Sequence, residues 1–175
     1  GDDDGVDTLN SQVTIQNCIV RDFSNPNEDA KGISVFHGNV LVRRCLVANC
    51  YVGVSAKSSG PLAGMSVEHC TIDAVTTGVA AAYKSNARVG NIAIHLRNSI
   101  VLALEAIHSD FGDNKITVEY SNTSQPWPGD GNLSQPPLLI DEAAGDYRLL
   151  AESPCVNAGD PAAPMDADGR RTDLG

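Results

Sequence analysis

The feature that most constrains this chain is a phrase that returns every 20–29 residues: an apolar-alternating stretch closing on a polar, small, apolar step. It occurs at 13–19, 40–46, 65–72, 92–100 and 116–122, and the small residue is Cys18, Cys45, Cys70, Ser99 and Ser121, at intervals of 27, 25, 29 and 22. A second column, Gly5, Gly32, Gly53, Gly78 and Ala106, each followed by Val or Ile, recurs independently at intervals of 27, 21, 25 and 28. A third short apolar piece follows the small residue, as in Ile19-Val20, Leu46-Val47, Thr71-Ile72 and Ile100-Val101. Three strands per unit of this length predict an all-β fold, a right-handed three-faced parallel β-helix of about five coils over residues 1–121. A leucine-rich αβ array would need a helix in every unit, and no segment carries a 3.6-residue period beyond two turns.

Such a coil cannot bury its inward face alone; stacking places equivalent side chains about 4.8 Å apart in one-residue ladders. The composition suits this, because only 3 Phe, 4 Tyr and 1 Trp stand against many Val, Ile, Ala and Thr, and small or β-branched side chains pack well on strands. Cys18, Cys45 and Cys70 are expected as stacked buried thiols. Cys50 and Cys155 lie off that column, and a bond between those two stays open.

After Asn122 the pattern dissolves: seven of the nine Pro lie beyond residue 125, and Pro removes ladder donors. Residues 122–175 are expected to form a capping tail of the same domain, since an open β-helix end exposes unpaired edges. No comparable segment stands at the amino end, so coils, and any export signal, are expected upstream of Gly1. That uncapped amino-terminal coil is a candidate surface for self-association.

The formal charge of −10 argues against a nucleic-acid partner, which needs a basic stripe. No apolar run approaches the ~20 residues that span a bilayer, so membrane insertion is not expected. The acidity is concentrated in Asp2, Asp3, Asp4 and Asp7. In a strand Asp3 and Asp7 share the outward face when Val6 joins the core. Carboxylates about 5 Å apart repel by roughly 3 kcal/mol at an effective dielectric near 20, so the cluster calls for a counter-cation. One coil later the Gly column sets Asp29 and Lys31 over Asp2 and Asp4, with Glu28 adjacent. Oxygen-rich sites of this kind suit Ca²⁺, with Asp3, Asp4, Asp7 and Asp29 as ligands; without it Lys31 serves as a salt-bridge partner.

At Asp3-Asp4-Gly5-Val6-Asp7 the chain resembles the pectate lyase-like β-helix superfamily, and within it the family 9 pectate lyases, whose Asp-Asp-Gly-aromatic-Asp strand binds catalytic calcium. Val6 replaces the aromatic. The resemblance implies a calcium-dependent polysaccharide lyase: Ca²⁺ binds a uronate carboxylate, a neutral Lys takes the C5 proton, and the 4-linked sugar leaves by β-elimination. Lys31 is then the candidate base. It departs from the family pattern, because Lys31 aligns with Asp4 whereas Ser34 occupies the column of Asp7. Segments such as Trp127-Pro-Gly-Asp-Gly-Asn and Ser153-Pro-Cys-Val-Asn are similar to the closing part of large secreted bacterial β-helix proteins, which implies a secreted or cell-surface location.

His37, His69, His95 and His108 are scattered without metal-ligand spacing. Lys57, Lys84, Arg43 and Arg44 are candidates for an acidic glycan or for plain solvation, and Tyr51 and Tyr83 for sugar stacking or for covering a coil edge. Asp160, Asp166, Asp168 and Asp173 form a second cation site or, more simply, turns. The function expected is an extracellular calcium-binding β-helix domain of a carbohydrate-active or polysaccharide-binding protein, with acidic polysaccharide as partner. The alternative is a non-catalytic structural or assembly module of a cell-surface protein.

Overall fold

The computed structural model describes residues 3–28, 30–83, 90–112 and 115–175. Its first eleven strands run parallel and stack as three faces of one solenoid. The first face carries the start of β1 (Val6–Gln16), the start of β3 (Lys31–Arg43), the end of β4 (Leu46–Ser58), the end of β6 (Thr71–Tyr83) and β9 (Glu105–Ser109). The second carries the ends of β1 and β3, then β5 (Leu62–Glu68), β7 (Asn91–Arg97) and β10 (Ile116–Glu119). The third carries β2 (Ile19–Arg21), the starts of β4 and β6, β8 (Ile100–Leu102) and β11 (Asn122–Thr123). From first rung to last the chain winds about four times; the expected five corresponds to rungs, and five rungs bound four circuits.

The register follows the repeat. Val13, Val40, Met65 and Ile94 align on the second face, and Ile19, Leu46, Thr71 and Ile100 on the third. Ile33, Val35, Val42, Val47, Val54, Val67 and Ile72 are fully buried in one continuous core. The glycine column marks where the first face crosses closest to the third. A Cβ on Gly53 would lie 2.4 Å from Ile72 Cγ2 and 2.5 Å from the Gly78 carbonyl oxygen.

The corner between the second and third faces is built the same way in every coil. Asn17, Arg44, His69, Asn98 and Tyr120 all take left-handed backbone, with φ between 45° and 55°, which costs an L-residue other than Gly or Asn roughly 1–2 kcal/mol. The small residue that follows secures the turn. Its hydroxyl or thiol donates to the carbonyl two residues back, as Ser99 Oγ does to Arg97 O at 2.8 Å and Ser121 Oγ to Glu119 O at 2.9 Å. The same atom accepts the backbone N–H of the equivalent residue one rung earlier: Cys45 N to Cys70 Sγ at 3.5 Å, Cys70 N to Ser99 Oγ at 3.2 Å and Ser99 N to Ser121 Oγ at 3.2 Å. The column therefore needs a small side chain that both donates and accepts, and only Cys and Ser occur in it. All five Cys are free thiols, with Cys50 and Cys155 in separate apolar clusters and Cys18 exposed in the first rung. The contact with Cys45, together with burial, pushes the Cys70 thiol up, so it stays protonated.

Beyond the fifth rung the chain first closes the stack and then doubles back beside it. Gln125 Oε1 accepts from Ala106 N–H at 2.7 Å, its amide nitrogen donates to Leu104 O at 2.9 Å, and Asn132 Nδ2 donates to Val118 O at 2.8 Å. These side chains satisfy a sheet edge that would otherwise be unpaired, while Trp127 packs on the core end. The hairpin β12 (Leu139–Asp141) and β13 (Asp146–Leu149) then lies against the third face, where the Tyr147 hydroxyl donates to Asp73 at 2.6 Å. The last residues reach back to the second-to-third corner: Gly175 N–H donates to Asn98 O at 3.0 Å, and Leu174 and Cys155 pack with Ile100.

Two stability measurements check this account. Gly53→Ala is expected to lower stability by about 1–3 kcal/mol through overpacking, seen as a fall in Tm by circular dichroism. Ser99→Ala strands the Cys70 N–H and is expected to cost about 1–3 kcal/mol, while Ser99→Cys keeps a donor–acceptor atom and loses less.

Candidate functional site

The acidic strand sits at the start of the first face. Asp3 and Asp7 are exposed, and Asp7 aligns with Ser34. Asp4 turns inward: its Oδ1 accepts the Lys31 backbone N–H at 3.0 Å and faces Lys31 Nζ at 3.6 Å. Gly5 N–H donates to Lys31 O at 2.8 Å, so the alignment of Asp4 with Lys31 is a true rung pairing. The two side chains are only 11% and 4% exposed. A buried ion pair resists separation, because removing either partner strands the other charge in a poorly solvated place. Asp29 and Asp2 lie outside the described residues. Among the described residues no three His, Cys, Asp or Glu side chains gather as a metal site, and calcium here would compete with the Lys31 ammonium for Asp4.

The structure assembles a second place that sequence reasoning did not. Along the outer second face, the register lines up Gln16, Arg43, Glu68, Arg97 and Glu119 in one column. The left-handed column Asn17, Arg44, His69, Asn98, Tyr120 runs beside it. The end of the tail crosses these columns and leaves a cleft of about 650 Å³ lined by Arg43, Arg44, His69, Arg97, Asp160 and Asp166, among others. Arg97 Nη2 meets Asp160 Oδ2 at 2.5 Å, and its Nε lies 3.9 Å from Glu119. Asn98 is buried and bridges both sides, accepting the Asp160 N–H at 2.6 Å and pairing with His69 Nε2 at 3.2 Å. Arg44 Nε donates to Asn17 Oδ1 at 3.1 Å. Arg43 Nε is buried and has no hydrogen-bond partner among the described residues.

The same strands carry, two residues back, a separate shallow groove of about 550 Å³ whose walls include Gln12, Thr14, Asn39, Leu41, Ser66 and His95 beside Val13, Leu62 and Ala93. Gln12 and Asn39 stand in one column and Thr14, Leu41, Ser66 and His95 in the other, so donors and acceptors alternate with apolar or bare positions. The other His serve local structure. His37 Nε2 accepts the Ser59 N–H at 3.1 Å, and its ring stacks on Phe36 at 3.9 Å between centroids. His108 lies between Glu105 and Asp110 at 3.0 and 3.1 Å.

Arg43 and Arg44 were visible in sequence as basic candidates, but Arg97, His69 and Asn98 were not tied to them. The signal available was the repeat itself: Arg43, Glu68, Arg97 and Glu119 each lie two residues before the small residue, so one column of alternating charge could have been read from it. The approach of Asp160 rests on tail docking, which no periodicity announces.

The fold defines a right-handed parallel β-helix. The sequence profile of the right-handed β-helix region matches residues 4–124, and the chain belongs to that family; the resemblance to pectate lyase-like proteins holds at this level. No curated protein and no solved structure matches the chain.

Proton titration by NMR tests the site electrostatics. Burial should hold His69 below the usual imidazole value of 6.5. Partial burial lowers His108, but the hydrogen bonds to Glu105 and Asp110 and their negative charges together outweigh it and should hold the imidazole above that value. By linkage, the His69 contribution to stability is lost as pH falls below the unfolded value toward its lower folded one. That of His108 is present below the unfolded value and lost as pH rises through its higher folded one.

Proposed function

We propose that the chain is a glycan-binding β-helix domain, secreted or at a cell surface, that holds acidic polysaccharide along the outer second face. The observation that carries this reading is the placing, on the same strands and two residues apart, of a groove that carries Gln12, Thr14, Asn39, Ser66 and His95 among apolar side chains and of the Arg43–Arg97 cleft. Binding is favoured over cleavage because the candidate base, Lys31, is buried and paired with Asp4. A general base must reach the proton it removes, so β-elimination requires that pair to open. Calcium is proposed at Asp3, Asp4 and Asp7 with Asp29. The support is chemical, two exposed carboxylates beside a third that already holds a cation.

Affinity electrophoresis in uronate polymers, followed by ultraviolet absorbance for unsaturated product, tests the main reading. Retention without product is expected, and Lys31→Ala should leave retention unchanged. Absence of retention on every polymer would remove the proposal, and product lost in Lys31→Ala would replace binding by lyase activity. For calcium, calorimetry of the wild type should give a saturable isotherm that Asp7→Ala weakens; superimposable isotherms would discard the cation.

A second reading rests on the first rung, where Leu9, Val13 and Ile19 are 59%, 36% and 69% exposed. Leu9 and Ile19 stand in outward columns of the register, and exposed apolar side chains of this kind suit contact with another protein surface, as in a structural or assembly module. A solution mass that doubles with concentration, and reverts in Leu9→Lys, is the outcome that favours it.

A further inference from the structure

We infer that Arg43 is the reader of a ligand carboxylate in the cleft between the second-to-third corner and the tail; this deepens the glycan-binding reading. The column it belongs to contains its own worked example. Two rungs along, Arg97 occupies the equivalent position, and the tail delivers a carboxylate to it: Asp160 Oδ2 sits 2.5 Å from Nη2. Asp160 is itself steered there by its backbone N–H on Asn98 Oδ1 at 2.6 Å. Arg43 presents the same side chain to the same cleft, yet its buried Nε has no acceptor among the described residues. Nε itself is closed off from solvent, so a carboxylate in the cleft would meet the terminal guanidinium nitrogens of this half-buried side chain, for which it offers the planar match.

The acids around the cleft do not supply that acceptor. Asp160 is taken by Arg97 and by the Ala162 N–H at 2.9 Å. Asp166 accepts from Thr172 Oγ1 and the Asp173 N–H, each at 3.1 Å, and Asp173 accepts from the Asn157 N–H at 2.7 Å. Within the column, Arg97 has Glu68 on one side and Glu119 on the other, whereas Arg43 has Glu68 and the neutral Gln16. Arg43 is thus the guanidinium with less carboxylate around it. The cleft volume of about 650 Å³ accommodates a sugar ring bearing the acid, and the neutral groove beside it receives the neighbouring units. A carboxylate on a sugar and one on a free organic acid share this chemistry.

The test follows the Arg43 Nε–Hε signal by ¹H–¹⁵N NMR, assigned by its loss in Arg43→Gln, while tetragalacturonate, its carboxyl-reduced neutral counterpart, or citrate is added. The expected result is a saturable shift with tetragalacturonate. With it should come about tenfold weaker affinity in Arg43→Gln, the scale of one charge-assisted hydrogen bond, and unchanged affinity for the reduced oligomer. Arg43→Lys should recover part of the loss. A shift with citrate but not with tetragalacturonate would support the carboxylate site while assigning it to a free acid, against the polysaccharide reading. If no carboxylate moves the signal, or Arg43→Gln binds tetragalacturonate as tightly as wild type, the inference is overturned; retention of the neutral oligomer would then leave glycan binding itself standing.

Discussion

The structure depends on one corner. Between the second and third faces the chain must change direction within a single residue, and it does so through left-handed backbone at Asn17, Arg44, His69, Asn98 and Tyr120. Turning there pulls the next N–H out of the ordinary parallel ladder, and an orphaned buried N–H is costly. The small residue of the following rung answers it, from Cys70 to Cys45, Ser99 to Cys70 and Ser121 to Ser99. Each coil is therefore completed by its neighbour. The same dependence explains why the fifth rung takes amides from Gln125 and Asn132, since the chain leaves the coil path after Thr123.

Because that corner repeats, everything beside it repeats too, and this decides where chemistry can sit. A side chain one residue before the corner stands over its equivalents at a spacing of about 4.8 Å. Like charges that close repel by about 3 kcal/mol at an effective dielectric near 20, so a charged column is tolerable only when signs alternate. Arg43, Glu68, Arg97 and Glu119 obey that rule, and Gln16 ends the series without charge. The buried pair of Asp4 and Lys31 is the two-rung version of the same solution.

What could be read from sequence was what the repeat encodes. The Gly column and the Cys/Ser column gave the three faces, the register and the placing of Asp4 against Lys31. They did not reveal why the second column holds only Cys and Ser, because the reason is a hydrogen bond across coils rather than burial alone. The cleft was legible only in half. Arg43 and Arg97 share a column that the phrase defines, but Asp160 comes from a segment rich in Pro and Gly, whose path is set by contacts such as Tyr147 with Asp73 and Gly175 with Asn98. Contacts between segments 60 or more residues apart leave no local pattern.

The tail accordingly has a second consequence beyond closing the stack. A solenoid of this kind offers flat, open faces, and flat surfaces bind small groups poorly because they exclude little water; concave sites do better. By folding back across the corner columns, residues 159–175 turn a flat strip into a cleft without disturbing a single rung. The cost is a carboxylate brought against a guanidinium column, and Arg97 absorbs it. In the glycan-binding reading, selectivity is thereby separated from the scaffold: the coils fix the spacing of the charges, and the tail fixes which of them would be left to a ligand.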